Sequence, residues 1–129
     1  MGLTFDTGAL IGLERSRHQM RKVFDVAVKH DVRITVPAVV VAEWWRQGRK
    51  EQERAQLLRA VIVDPITDHT ARIAGAALTL VPNAQTIDAL IMASACQRPH
   101  EIVYTSDVSD LELLRDTVPA FAFLRIEHA

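Results

Sequence analysis

Apolar residues come in short bursts along this chain, and their spacing switches between the periods of strands and of helices. Leu3-Thr4-Phe5 is a brief apolar segment closed by Asp6-Thr7-Gly8, after which Ala9, Leu10, Ile11 and Leu13 suit a helix. Met20, Val23, Phe24, Ala27 and Val28 fall on one helical face, with Arg21, Lys22, Asp25 and Lys29 off it and His30-Asp31 ending the run. Ile34, Thr35 and Val36 are β-branched residues before Pro37, which predicts a buried strand leading into a helix that carries Glu43, Trp44 and Trp45. Gln47 to Lys50 reads as a polar break, and Glu51 to Arg59 consists of helix formers with Leu57 and Leu58 available for burial.

The second half repeats the alternation. Val61-Ile62-Val63 reads as a strand or a connector, and a helix starting at Thr67 lines up Ile73, Ala74, Ala77, Leu78 and Val81 before Pro82-Asn83 closes it. Thr86 is placed to cap a helix with Ile87, Leu90, Ile91, Ser94 and Ala95 at helical spacing. Ile102 to Thr105 predicts another buried strand, Leu111 to Arg115 a short helix, and Phe121 to Ile126 a last strand at the sheet edge. Strands alternating with helices predict an α/β fold, a three-layer sandwich around a mostly parallel sheet, with residues 1–129 as one domain.

The 129 residues are 49% hydrophobic and 24% charged, enough for one core and too few for two. A net charge of -1 removes the global basicity of a sequence-tolerant nucleic-acid coat. The charge is nevertheless divided, since eleven Lys/Arg face seven Asp/Glu through Arg59 and four face nine after it. A polyanion on one face and a cation held by acids elsewhere are both compatible with that division. A single cysteine makes no internal disulfide, Asp6 interrupts any early apolar leader, and the run Val36 to Ala42 is too short to span a bilayer. The expected address is cytoplasmic.

In an open parallel sheet the functional crevice lies beyond the carboxyl ends of the strands. Asp6 follows the first predicted strand, and Asp107 and Asp110 follow the strand ending at Thr105. Glu43 and Asp88 stand on helices in apolar surroundings, where an unpaired carboxylate is costly to desolvate, and no Lys or Arg lies within helical reach of Asp88. Each acid has a plain structural reading as well. Asp6 and Asp110 suit helix caps, Asp88 suits a helix dipole, and Glu43 has Arg46 nearby. Taken together, four or five acids from distant segments meet at one end of a sheet, the composition of an oxygen-ligand site for Mg2+ or Mn2+.

The segments Leu3-Thr4-Phe5-Asp6-Thr7-Gly8-Ala9-Leu10-Ile11, Ala42-Glu43, Asp88-Ala89-Leu90-Ile91 and Thr105-Ser106-Asp107-Val108-Ser109-Asp110-Leu111 resemble, in order, those of the PIN-domain ribonucleases. Among these the chain is most similar to the VapC-type toxins of bacterial toxin-antitoxin pairs. The resemblance implies an α/β/α sandwich, a Mg2+- or Mn2+-dependent endoribonuclease acting on RNA, a homodimer, and an antitoxin whose tail covers the active cleft. It implies metal-site roles for Asp6, Glu43, Asp88 and one acid of the last segment. That segment departs from the usual Thr-x-Asn-x-x-Asp-aromatic pattern, having Asp107 at the Asn position and Leu111 at the aromatic, so Asp107 and Asp110 compete for the fourth place.

On this reading Asp6 and Asp88 are direct or one-water ligands, and Glu43 and Asp110 orient the ion's waters or a second ion. Thr7 and Thr105 offer hydroxyls beside the carboxylates, or simply strand-end hydrogen bonds. Arg46, Arg49, Lys50 and Arg54 are candidates for the RNA backbone, as are Arg15, Arg17, Arg21 and Lys22; a solvated helix face explains either group too. The histidines have no ligand spacing, Cys96 suits a small buried apolar position, and no phosphate-binding glycine loop is present. A phosphoacceptor receiver domain is the rival from another class, but only one acid follows the first strand and no lysine follows Ile102. A haloacid-dehalogenase phosphatase would need a second Asp where Gly8 stands. A catalytically silent PIN fold kept as a binding module is the third reading.

Overall fold

The computed structural model describes residues 1–46 and 50–129. Five strands form one sheet in the order β3-β2-β1-β4-β5, with β1 at Gly2–Phe5, β2 at Arg33–Pro37, β3 at Ile62–Asp64, β4 at Glu101–Thr105 and β5 at Arg125–His128. Every neighbouring pair is parallel, with Leu3 opposite both Ile34 and Ile102, and Phe5 opposite Tyr104. Parallel strands need a crossover between them. Here α1 (Thr7–Glu14) and α2 (His18–Lys29) join β1 to β2, and α3 (Ala38–Trp44) and α4 (Glu51–Arg59) join β2 to β3. α5 (Asp68–Leu80) and α6 (Thr86–Ala95) lead to β4, and α7 (Val108–Thr117) with a 3-10 turn at Pro119–Phe121 leads to β5. The result is the α/β/α sandwich expected. No described helix is long and apolar enough to cross a membrane.

Because the sheet is covered on both faces, β1 is buried along its whole length, which is why its residues read as a short apolar run and not as an alternation. The core is built from Phe5, Leu10, Leu13, Met20, Met92, Leu111, Leu114 and Phe121, all essentially without exposure. One polar device crosses it. Thr4 donates to Glu101 Oε1 at 2.7 Å, and Arg98, just after α6, donates to Glu101 Oε1 at 3.1 Å, Thr4 Oγ1 at 2.9 Å and Asp64 Oδ2 at 3.3 Å. One guanidinium thus ties the end of α6 to β1, β3 and β4. Glu101 begins β4 one residue before the apolar segment read from the sequence, and its charge is tolerated by that pairing.

Several local expectations need correction. Trp45 lies outside α3 as its extended C-cap, so the helix carries Glu43 and Trp44 only. The N-cap of α6 is Gln85 without a side-chain bond, and Thr86 is the first helical residue. α7 begins earlier and ends later than Leu111 to Arg115, and its N-cap position is Asp107, so Asp110 lies inside the first turn and is not the cap. Phe121, itself buried, closes a 3-10 turn, and the edge strand starts only at Arg125, because Pro119 favours a turn over a paired strand. Val28 is exposed although it shares the spacing of the apolar face of α2.

Candidate active site

The strand order turns back on itself at β1: successive crossovers first move toward β3, and the chain then returns to place β4 on the other side. Such a switch leaves a crevice at the carboxyl ends of the two adjacent strands, which end at Phe5 and Thr105 and are followed by Asp6 and, two residues on, Asp107. Asp6 is buried and does double duty. Its Oδ1 accepts from the Ala9 amide at 2.8 Å, which caps α1, while the Thr105 hydroxyl and the Ser106 amide also act on the carboxylate. Burial nevertheless raises its pKa above the ordinary aspartate value, against those three donors and with the charge of Asp107 adding to the rise.

Asp88 shows the same conflict more strongly. It stands in the first turn of α6 and is only 9% exposed. Desolvation, followed by the charges of Asp107, Asp110, Asp6 and Glu43, pushes its pKa up to about 6. The other four acids singled out from the sequence therefore all act on this one carboxylate, although they come from the end of β1, from α3 and from the start of α7. Glu43 is exposed on α3 and accepts from Thr7 Oγ1 at 2.6 Å, so its hydrogen-bond partner is the first residue of α1, and among the described residues it forms no ion pair with Arg46. Asp107 donates its amide to Thr105 Oγ1 at 2.8 Å. Its charge precedes that of Asp110 in its effect on Asp88 and reaches Asp6 as well, which gives the extra carboxylate a place in the cluster.

The donor set is all oxygen and all anionic, which suits a hard divalent cation. Among the described residues, no three of the His, Cys, Asp and Glu side chains stand in common ligating geometry. Mg2+ keeps several waters and takes one or two direct carboxylates, so a loose set of acids can serve it.

The basic candidates fare unevenly. Arg46 is exposed just beyond α3, and Arg49 lies outside the described residues. Lys50 is exposed in a left-handed conformation before α4, and its charge acts on Glu14. Arg54 is not free for a phosphate. It donates Nε and Nη2 to Glu14 at 2.6 and 3.1 Å and Nη1 to the Trp44 carbonyl at 2.7 Å, and its guanidinium lies over the Trp44 ring. With Leu13, Phe24 and Leu57 these groups line a groove of about 460 Å³.

Two participants escaped the sequence reading. Ser106 contributes its amide to Asp6 and packs its side chain against Gly8, where a Cβ would come within 2.6 Å of Ser106 Cβ. The visible signal was a glycine inside the first turn of a helix, which serves where another chain segment must come close. Glu14 was missed because its partner is 40 residues away.

Comparison with known proteins follows from this geometry. The PIN-domain family profile matches residues 3–115. The chain belongs to the PIN-domain family, a nuclease family. This membership decides against the receiver and dehalogenase readings. No curated protein sequence matches the chain. Among solved structures, it is similar to a chain of VapBC2 from Rickettsia felis bound to a DNA fragment from its promoter, with TM-score 0.75, 16% identity and coverage of 100% of this chain and 99% of that one. A toxin-antitoxin complex from Klebsiella pneumoniae aligns with TM-score 0.70 and 19% identity over 93% of this chain and 94% of the other. VapBC-1 from nontypeable Haemophilus influenzae gives 0.69 and 19% over 99% and 98%. At these identities the structural likeness speaks for the fold.

Proposed function

We propose that this PIN-domain protein is a divalent-metal-dependent endoribonuclease and the toxin of a toxin-antitoxin pair, with a cognate antitoxin as its protein partner and a homodimer as its working form. The observation that carries the catalytic part is the convergence of Asp6, Glu43, Asp107 and Asp110 on the buried Asp88, whose pKa burial and these four charges raise. Structural similarity to toxin-antitoxin complexes supports the biological part.

Asp6 and Asp88 are the residues to hold Mg2+ or Mn2+, and Glu43, Asp107 and Asp110 surround them. The bound ion supplies positive charge to the phosphate oxygens and an activated water at neutral pH. The protein's own groups do the positioning. The Ala9 amide holds the Asp6 carboxylate at 2.8 Å, and the Thr105 hydroxyl and Ser106 amide beside it favour its charged form. Thr7 holds Glu43 by its 2.6 Å bond and so fixes the α3 side of the crevice relative to α1. Arg46, exposed just beyond α3, is the candidate to hold an RNA phosphate on that side.

Cleavage of an RNA oligonucleotide by wild type, Asp6→Asn and Asp88→Asn in Mg2+ or Mn2+ tests the reading. Each variant should lose roughly a hundredfold or more in rate. A variant that retains the wild-type rate removes its residue from the site, and retention by both sinks the reading.

A further inference from the structure

The crevice is lined by carboxylates, so a polyanionic strand crossing it has to be held from the rims. Arg46 lies exposed just past α3, three residues after Glu43, and α3 follows β2, the neighbour of β1 away from β4. The opposite rim is formed by the ends of β4 and β5, and there the register is informative. Thr105 is opposite His128, while Asp6 continues β1 beside β4 through its amide bond to the Tyr104 carbonyl. Asp6, Thr105 and His128 therefore occupy one row across three adjacent strands. By pleat they share a face, since Phe5 pairs with Tyr104 and His128 with Thr105. At strand spacing, His128 stands about 10 Å from Asp6, two strands away.

The end of an edge strand commonly frays, but this one is fixed from two sides. Gln19, in the first turn of α2, donates Nε2 to the His128 carbonyl at 2.7 Å, and the Ala129 amide donates to the Thr105 carbonyl at 2.8 Å. Ile126, on the same face of β5, is buried, yet His128 is exposed. A polar ring is thus held in solvent at the level of the acids, by bonds that leave its own nitrogens uninvolved. The Gln19 contact also brings the start of α2, with the exposed Arg17 as its N-cap and His18 as its first residue, to this rim.

We infer that His128 contacts a phosphate of the RNA strand next to the scissile one, so that the substrate lies across the carboxyl edge of the sheet from the α3 side, where Arg46 is exposed, to the β5 rim. The inference rests on the ribonuclease reading above and adds to it the path of the strand. Imidazole offers an N–H donor to a phosphate oxygen, a charge-assisted bond whose loss weakens binding about tenfold. As a substrate-positioning residue, His128 acts on KM.

The test is steady-state cleavage of a short RNA at saturating Mg2+ by wild type, His128→Ala, His128→Gln and Asp6→Asn, with a melting curve for each. His128→Ala should raise KM about five- to tenfold with little change in kcat, in the Mg2+ concentration needed or in the melting temperature. His128→Gln, which keeps an N–H donor, should recover part of the loss. An unchanged KM in His128→Ala overturns the inference, as does a fall in kcat alone, while Asp6→Asn inactivity would still uphold the ribonuclease reading. If wild type cleaves no RNA, or Asp6→Asn cleaves as wild type does, the ribonuclease reading fails and this inference falls with it.

Discussion

At the scale of single residues, Asp88 is where folding and chemistry pull apart. An ordinary aspartate in an open chain titrates near 3.9, whereas in the fold this one is held at about 6. Without metal, the folded state binds the proton more tightly than the unfolded chain does. Its contribution to stability is then fully present below about pH 4 and is lost as the pH rises through about 6. The amount is roughly 2 to 3 kcal/mol. Metal-free wild type should therefore lose stability between about pH 4 and 6 relative to Asp88→Asn, and denaturant titrations of the two proteins across that range would show it. Parallel pH profiles would mean that Asp88 carries no such burden. Asp6 separates differently. Asn keeps an N-cap acceptor, so Asp6→Asn should stay folded, while Asp6→Ala should lose about 1 kcal/mol with or without metal. The sequence showed both acids because each interrupts an apolar segment. It did not show that Asp6 is also a working cap with a fixed carboxylate, because Thr105 and Ser106 reach it only through strand pairing.

At the scale of elements, α1 is set against the β4 end by a close approach at Gly8. A methyl group there meets the Ser106 side chain, so Gly8→Ala should cost about 1 to 3 kcal/mol and disturb the amide that serves Asp6. Ser106→Gly in the same chain should recover most of the stability, measured as a double-mutant cycle in denaturant. Additive losses would contradict the contact. On the other side of α1, Glu14 and Arg54 are each 12% exposed and bind one α1 end to α4. Arg54 lowers the Glu14 pKa through hydrogen bonding, so this contribution is present above the ordinary glutamate range and is lost as the pH falls below it. Arg54→Ala should cost about 2 kcal/mol at pH 7, less at pH 3.5, and leave RNA affinity intact. Lost RNA affinity with unchanged stability would return Arg54 to the phosphate contacts. Such pairing is invisible to local patterning, which explains why a buried structural cation reads like a solvated or RNA-facing one. Element identity was easier to read than element ends: α7 was shortened because Val108 and Ser109 do not announce a helix, and Thr86 attracted a cap that the backbone of Gln85 fills without a side chain.

At the scale of the whole molecule, the parallel sheet and its order explain why acids far apart in the sequence act together. The switch between β1 and β4 puts two strand ends side by side, and α6 and α3 bring Asp88 and Glu43 to the same edge. That much followed from alternating strand and helix patterns plus acids at their junctions. The balance between Asp107 and Asp110 did not follow, since it depends on how α7 starts. Asp107 occupies the cap position without making a side-chain cap bond, which leaves its carboxylate available to the crevice. Asp107→Asn should retain substantial activity, while Asp110→Asn should raise the metal concentration needed and lower the rate; a larger loss in Asp107→Asn would give the fourth place to the extra carboxylate. The central claim is that this acidic edge works by holding a divalent cation against RNA. The most direct measurement is the cleavage rate of an RNA oligonucleotide by the fully chelated protein, followed through stepwise return of Mn2+ or Mg2+. The account predicts no cleavage in chelator and a saturable return of activity with added ion, and undiminished cleavage after thorough chelation would contradict it.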